Sequence, residues 1–311
     1  MTKKIGLWFY TNENGDRIRQ QIADRLRMSG HEVYFDFDMR ECYCLNGEVY
    51  TRDGVNLSKL DLLFYMNMEE RSEHQHDILR ALEASGLRIV NSFEAYSRAN
   101  DKFIANTLLR RHGVRVADSM LIPTDFSEAT MREIFKQWGS VVVKPRNGVC
   151  AHGVMKFDDF ESFYDFLLFV QPHAHNLYLE KRLRFEHRDM RVEVFNGEVV
   201  GNGFSRVMKH SFKTNVRAGG VATYIPAEQD AKDTAVAAAK ALGITATIVD
   251  MVRSLDDGHP YVLEVNQFLG VFYGEYYRSI GEEPPAYFAE QDQKKIELIV
   301  RYIETMAETA R

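Results

Sequence analysis

Through roughly its first hundred residues the chain alternates short apolar runs with stretches of helix spacing, and this restricts the fold more than any other feature. Ile5–Tyr10 reads as an apolar strand, and Asp16–Ser29 carries Ile18, Ile22 and Leu26 at helix spacing before Gly30. Glu32–Phe37 alternates as a strand, Cys42–Tyr50 makes a hairpin or loop around Asn46-Gly47, and Leu60–Met66 is a strand of the buried type. Ser72–Ser85 is a helix with Ile78 and Leu82 on one face, followed by a strand at Leu87–Val90. Strands interleaved with helices imply a wound, parallel sheet.

A new unit begins near residue 100. Asn100 or Asp101 can cap a helix running through Phe103, Ile104, Leu108 and Leu109 to His112-Gly113. Met120–Ile122 is a short strand ended by Pro123, and Ser127 caps a helix that reaches Trp138-Gly139. Val141–Lys144 is a strand leading into the loop 145–153, with another strand at Val154–Phe157. Asp158 or Asp159 opens a helix to about Val170. Beyond this the signals turn antiparallel. Met190–Phe195 and Glu198–Phe204 flank Asn196-Gly197, a strong hairpin signal, and Ile244–Val252 and Tyr261–Val265 flank Asp256-Asp257-Gly258. An alanine-rich helix spans Ala227–Leu242, and a final helix runs from about Pro285 to Thr309.

The length of 311 residues suits two domains or three small ones, and 45% hydrophobic with 27% charged residues excludes disorder as the dominant state. Apolar runs such as Phe166–Val170 fall far short of the ~18 residues of a membrane helix, and Ile5–Tyr10 is too short for a signal peptide. Three cysteines cannot all pair within the chain, which fits a reducing cytoplasmic setting. Cys42 and Cys44 are too close for an ordinary disulfide and lack partner ligands for a metal. A net charge of −6 argues against a nucleic-acid coat or a polybasic membrane binder, and no nucleic-acid-binding motif appears.

Three features carry chemistry. A strand ending in Lys144, then a glycine-containing loop, then a second strand can fold over a polyphosphate, although it is neither a Walker A loop nor GxGxxG, and an exposed hairpin with one lysine reads equally well. Asp250 ends one strand while Glu264 and Asn266, two apart on the next, share a sheet face. Antiparallel pairing would bring three hard oxygen donors together, as Mg²⁺ requires, and a structurally paired set of acids is the alternative. Charge is also segregated: residues 181–217 carry nine bases against four acids, whereas residues 218–311 carry fifteen acids against eight bases. A basic cradle opposed to an acidic edge is what an ATP-dependent site needs, while Arg182, Arg184 and Arg188 also read as a solvated face.

Taken in order, these features resemble the ATP-grasp superfamily of carboxylate–amine ligases, and most nearly its RimK-like glutamate and amino-acid ligases. The likeness runs from about Arg98 to Gly270. Ser97–Lys102 is similar to the family's entry helix, with Lys102 as the phosphate-contacting lysine, and Val141–Pro145 to the strand whose Lys144 reaches the phosphates. Leu179-Glu180-Lys181-Arg182-Leu183 resembles the nucleotide hinge, with Glu180 accepting from the adenine amino group. Asp189 matches the ribose-binding acid and Arg191 follows it. Arg206 matches an arginine that neutralises the transferred phosphoryl group, and Asn215 with Gly219-Gly220 matches a further nucleotide-binding segment. Asp250, Glu264 and Asn266 match the metal-binding strands.

The resemblance implies an α/β (α+β grasp) architecture: a wound, parallel-sheet preceding domain at 1–99, a small ATP-grasp lobe at 100–178 and a large lobe at 179–311. It implies ATP with Mg²⁺, or Mn²⁺ in its place, and amide formation through an acylphosphate on amino-acid, peptide or peptide-like substrates. It further implies a cytoplasmic enzyme that acts on small-molecule or peptide carboxylates and amines, with no nucleic acid, no membrane and room for a homo-oligomer. A small-molecule kinase on the same fold, or a nucleotide-binding regulator without turnover, are the alternatives. Two segments depart from the family: Cys150, Ala151 and His152 interrupt the loop after Lys144, and Asn266-Gln267-Phe268-Leu269-Gly270 lacks the usual Ser or Thr and Pro. His152 and His210 are candidates for a general base by location only. Phe272, Tyr273, Tyr276 and Tyr277 read as packing for the last helix rather than as a lining for the acceptor pocket.

Overall fold

The expected alternation at the N-terminus builds a four-stranded, all-parallel sheet. In the computed structural model, which describes residues 2–9, 15–66, 73–148, 151–186, 188–207 and 221–309, the chain opens with β1 (Lys4–Phe9), α1 (Gly15–Met28) and β2 (Glu32–Tyr34). A hairpin of β3 (Tyr43–Leu45) and β4 (Glu48–Tyr50) follows, then β5 (Leu62–Met66), α2 (Glu73–Ala84) and β6 (Arg88–Val90). The sheet order is β2-β1-β5-β6. Alternate residues of β1 serve opposite faces. Ile5, Leu7 and Phe9 meet Ile18, Ile22 and Leu26 of α1, while Trp8 joins Leu79 and Leu82 of α2. A parallel sheet must be covered on both faces, and this one is. The hairpin turns where expected, because Asn46 and Gly47 both adopt positive φ, at 52° and 84°.

The chain then crosses α3 (Phe93–Asn100), α4 (Lys102–Arg111), β7 (Ser119–Pro123), α5 (Glu128–Trp138), β8 (Val141–Lys144), β9 (Met155–Phe157), α6 (Phe160–Val170) and β10 (Asn176–Lys181). Asp101 ends α3 and caps α4, its carboxylate accepting from the Phe103 and Ile104 amides. The strands form an antiparallel sheet in the order β7-β10-β8-β9. Val141, Val143 and Leu179 point at α5 and α6, where they pack with Met131, Phe135, Phe163 and Leu167. Strand alternation therefore sends Val142, Lys144, Tyr178 and Glu180 to the other face.

The third sheet uses β11 (Arg188–Phe195), β12 (Glu198–Val207) and β13 (Val221–Thr223), then, after α7 (Gln229–Leu242), β14 (Ala246–Arg253) and β15 (Pro260–Val265). It is antiparallel, in the order β13-β12-β11-β14-β15. Met190, Val192 and Val194 pack on the alanine face of α7, among Ala231, Ala235, Ala238 and Leu242. The opposite face of β11 therefore presents Asp189, Arg191 and Glu193. The chain ends in α8 (Tyr273–Ser279) and the long α9 (Ala286–Thr309). Ile296, Ile299 and Ile303 of α9 return to the α1 side of the first sheet.

Several elements differ from the sequence reading. The strand expected over Glu32–Phe37 stops at Tyr34, and α3 and α8 carry too few turns to show a clear period. The aromatic residues after Val271 pack: Phe272 is fully buried, and Tyr273 meets Phe204 and Phe288 at ring distances of 5.2 and 5.1 Å. Among the described residues no helix is long and apolar enough to cross a membrane.

Candidate active site

Three charged residues stand side by side across three strands of the third sheet. The registers pair Arg191 of β11 with Asp250 of β14, and Asp250 with Glu264 of β15; one step along, Asp189 opposes Arg206 of β12. These positions fall on the face turned away from α7, so a charge row here needs no exposure to solvent at the core. Asp189 and Asp250 are 0% and 4% exposed, which demands compensation. Arg206 supplies it. Its Nε donates to both Asp189 oxygens at 3.1 and 3.0 Å, and a terminal nitrogen donates to Asp250 Oδ2 at 2.8 Å. Arg191 Nε donates to the other Asp250 oxygen at 2.8 Å. Burial raises the Asp250 pKa, but the Arg191 and Arg206 guanidiniums outweigh it and hold the carboxyl below the ordinary aspartate value. Burial works against the charge on Arg206, and Asp250 with Asp189 reverses that and raises its pKa.

Asp189, Arg206, Asp250 and Glu264 floor a cavity of about 130 Å³ whose roof is the second sheet. Val142, Lys144, Glu180 and Lys181 enter from that sheet, Arg182 and Leu183 from the segment joining the sheets, and Lys102 from α4. Lys144 pairs with Tyr178 in register, so Glu180 is its diagonal neighbour, and Lys144 Nζ lies 2.5 Å from Glu180 Oε2. Tyr178 donates its hydroxyl to the other Glu180 oxygen at 2.8 Å, and burial followed by the Glu180 charge pushes the phenol pKa up. Lys102, one residue into α4, donates to Gly148 O at 2.8 Å and lies 3.0 Å from Glu264 Oε1.

The loop after β8 is tied down at both ends of this contact. Arg146 pairs with the capping Asp101, and Arg146 O accepts from the Lys102 amide at 2.9 Å. Gly153 has φ +71° and a Cβ there would meet Pro145 Cγ at 2.8 Å, so glycine is needed both for conformation and for room. His152 lines the cavity; Cys150, His210, Asn215 and Gly219-Gly220 lie outside the described residues.

Nine of the residues matched to the family therefore line one cavity, with His152 beside them: Lys102, Lys144, Glu180, Lys181 and Arg182 above, and Asp189, Arg206, Asp250 and Glu264 below. Arg191 and Asn266 stand behind Asp250; Asn266 Nδ2 donates to Ile248 O at 2.9 Å and lies 3.5 Å from Asp250 Oδ1. Glu180 and Asp189, read as adenine and ribose contacts, are both engaged within the protein, by Lys144 and Arg206. The donor set suits Mg²⁺, since two carboxylates and an amide supply hard oxygens, and Lys102 beside Glu264 marks a place where positive charge is held. Among the described residues no three or more His, Cys, Asp or Glu side chains cluster as a metal site, so the set depends on Asn266. Tyr178 was missed from the sequence, although its place two residues before Glu180 puts it on the same strand face.

Comparison with known proteins identifies the family. A family model described as the RimK-like ATP-grasp domain matches residues 99–280. The probable alpha-L-glutamate ligase of Aeromonas salmonicida (strain A449) is 31% identical over 260 residues, covering 81% of this chain and 85% of that protein. Its counterpart in Parasynechococcus marenigrum (strain WH8102) is 25% identical over 251 residues; the match takes in 78% of this chain but spans only about half, 52%, of that protein. Among solved structures, the ATP-grasp ligase PsnB complexed with a minimal precursor superposes with a TM-score of 0.66 at 20% identity, covering 94% of this chain and 99% of that one. At that identity it speaks to the fold alone.

Proposed function

The chain belongs to the RimK-like ATP-grasp family, and from that membership we propose that it is an ATP-dependent carboxylate–amine ligase acting on an amino acid, peptide or peptide-like substrate. The observation that carries this reading is the convergence of Lys102, Lys144 and Arg206 with Asp250 and Glu264 on one cavity between two sheets. In the proposed division, residues 1–99 precede the grasp, 100–178 form its small lobe and 179–311 its large lobe.

ATP would lie between the sheets. The Val142 and Leu263 side chains offer apolar walls for adenine, and Glu180 with the 181–183 backbone offers polar edges. Lys102 and Lys144 would bind the phosphates, each exchanging a carboxylate partner for phosphate oxygens. Arg206 would neutralise charge on the γ-phosphoryl group, pre-oriented by Asp189 and Asp250 so that little reorganisation is needed. A substrate carboxylate oxygen attacks the γ-phosphorus, ADP leaves, and an acylphosphate forms. An amine nitrogen then attacks the acyl carbon, inorganic phosphate departs, the amine gives up a proton, and an amide remains. The loop held by Arg146 and Lys102 would exclude water from the acylphosphate. Asp250, Glu264 and Asn266 would hold Mg²⁺, or Mn²⁺ in its place, and the bound cation would supply Lewis-acid withdrawal of charge from the phosphates. We further propose a cytoplasmic location, with small-molecule or peptide substrates rather than nucleic acid.

The test is a screen of amino acids and short peptides for stimulated ADP release, followed by product mass. ADP with free phosphate and an amide supports the ligase. A stable phosphorylated substrate would instead make it a kinase, and ATP binding without stimulated turnover would make it a regulator. Full activity in Glu264→Gln with Asn266→Ala would overturn the metal assignment.

A further inference from the structure

The segment that follows the last proposed metal donor is held by a buried cation from the far end of the chain. Lys295 of α9 is 2% exposed, and its ammonium donates to Glu193 Oε1 at 2.7 Å, to Gly270 O at 3.2 Å and to Val271 O at 3.0 Å. Those three bonds use all its protons. Glu193, 1% exposed, belongs to the same face of β11 as Arg191, the residue that grips Asp250, and it also accepts from Gln291. A Cβ on Gly270 would stand 2.8 Å from Glu193 Oε1, so the loop reaches this pair only because residue 270 is glycine.

The other end of the segment is held from the N-terminal sheet. Asn91, fully buried, donates to Gln267 O at 2.7 Å and to Ala246 O at 2.8 Å, and accepts from the Thr245 and Ala246 amides. Thr247 donates to Asn266 O, and Ile248 N donates to Phe268 O at 3.1 Å. The carbonyls of residues 266, 267, 268, 270 and 271 are thus each engaged. A buried ion pair adds little net stability over apolar residues of the same volume. What Lys295 supplies is direction, through two carbonyls of one short loop.

We propose that Lys295, charge-balanced by Glu193, is a positioning residue that, together with Asn91, presets Asn266–Val271 so that Asn266 meets the divalent cation of the bound nucleotide without rearrangement. This rests on the ligase reading above, in which Asn266 is a metal donor. Neither Lys295 nor Glu193 touches the nucleotide cavity; they act on it through the loop backbone.

The test is calorimetric binding of ADP to the full chain, in EDTA and in Mg²⁺. For the wild type, Mg²⁺ tightens ADP. In Lys295→Met with Glu193→Leu, which removes both charges together, affinity in EDTA stays within about two-fold, while the gain from Mg²⁺ falls about ten-fold. Lys295→Arg, which keeps the charge and donors, recovers most of that gain. A double variant that melts like the wild type and keeps the whole Mg²⁺ gain overturns the proposal. Hydrogen exchange on the wild type tests it without any variant: the Asn266 amide, which donates to Ile248 O at 3.0 Å, is protected before ligand is added and changes little afterwards. Free exchange there until Mg²⁺ and ADP bind overturns it equally. Failure of the nucleotide and metal assignment in the ligase reading looks different, because wild-type protein would then bind ADP with no Mg²⁺ effect, or not at all.

Discussion

Lys102 Nζ lies 3.0 Å from Glu264 Oε1, so the lysine proposed for the ATP phosphates and the carboxylate proposed for the metal hold each other across the cavity. A polyphosphate with its divalent cation brings an anion for one and a cation for the other, and replaces the pair with two stronger partners. The two residues are therefore coupled in binding. Lys102→Met and Glu264→Gln are each expected to weaken Mg²⁺-ATP by about ten-fold, and the double variant by less than the product of the two. Titration of a fluorescent ATP analogue into all four proteins checks this; strict additivity would show the pair to be incidental.

Arg206 cannot be exchanged for lysine at low cost. Its guanidinium spans Asp189 and Asp250 at once, which a point-like ammonium does not. Arg206→Lys is expected to lower kcat about 10²- to 10³-fold with a smaller change in ATP affinity, as for loss of a charge-stabilising donor in the transition state. Asp189→Asn leaves Arg206 short of a buried partner and is expected to destabilise the fold by about 3 kcal/mol, measurable by urea unfolding. A variant Arg206→Lys with normal kcat would remove the arginine from phosphoryl transfer.

Asp292, on α9 one turn from Lys295, should make stability depend on pH near neutrality. Burial pushes its pKa up to about 6, against the partial opposition of Lys295 and the Glu275 amide that it accepts from at 3.0 Å. The folded chain holds this proton more tightly than the unfolded one, whose aspartate titrates near about 3.9. Its contribution is therefore complete below about pH 4 and lost as pH rises through about 6, where the buried charge costs up to about 3 kcal/mol. Asp292→Asn keeps the acceptor and removes the titration. Its stability relative to the wild type should rise between pH 4.5 and 7.5; a difference flat with pH would contradict the assignment.

Gly203 sits in β12 at φ +72°, and a Cβ there would meet Arg191 O at 2.8 Å and Ala227 Cβ at 3.1 Å. Both the conformation and the space exclude a side chain. Gly203→Ala is expected to cost about 2 kcal/mol or more, read as a drop in Tm, and to disturb the strand that carries Arg191. An unchanged Tm would mean that β12 can shift without loss.

What could be read from the residues alone was local chemistry with a fixed geometry. Asn196-Gly197 turns because both residues take positive φ, Ser127 and Asp159 cap helices with their own oxygens, and Gly139 ends α5 at φ 73°. The cavity was legible for the same reason: Lys144 ends one apolar strand, Asp250 and Glu264 interrupt two others, and alternation fixes the face of its own sheet that each side chain takes. Lys295 was not, because a lysine beside Ile296 on a long helix ordinarily points to water. A signal was available all the same. Phe288, Asp292, Lys295, Ile299 and Ile303 follow one another at three- and four-residue steps, a single helix face that the isoleucines bury. The two segments that depart from the family gave no such pattern, since a loop is shaped by what holds it rather than by its own period.

Ile296, Ile299 and Ile303 close the same cluster as Ile5, Leu7, Ile18 and Ile22. On the ribosome, that places a delay inside the fold. The first strand emerges roughly 290 residues ahead of the helix that covers it, and at about 5–20 residues per second the interval is some tens of seconds. Until then α1 alone covers that side of the sheet, and the apolar surface that later meets Ile296, Ile299 and Ile303 stays open to the cell.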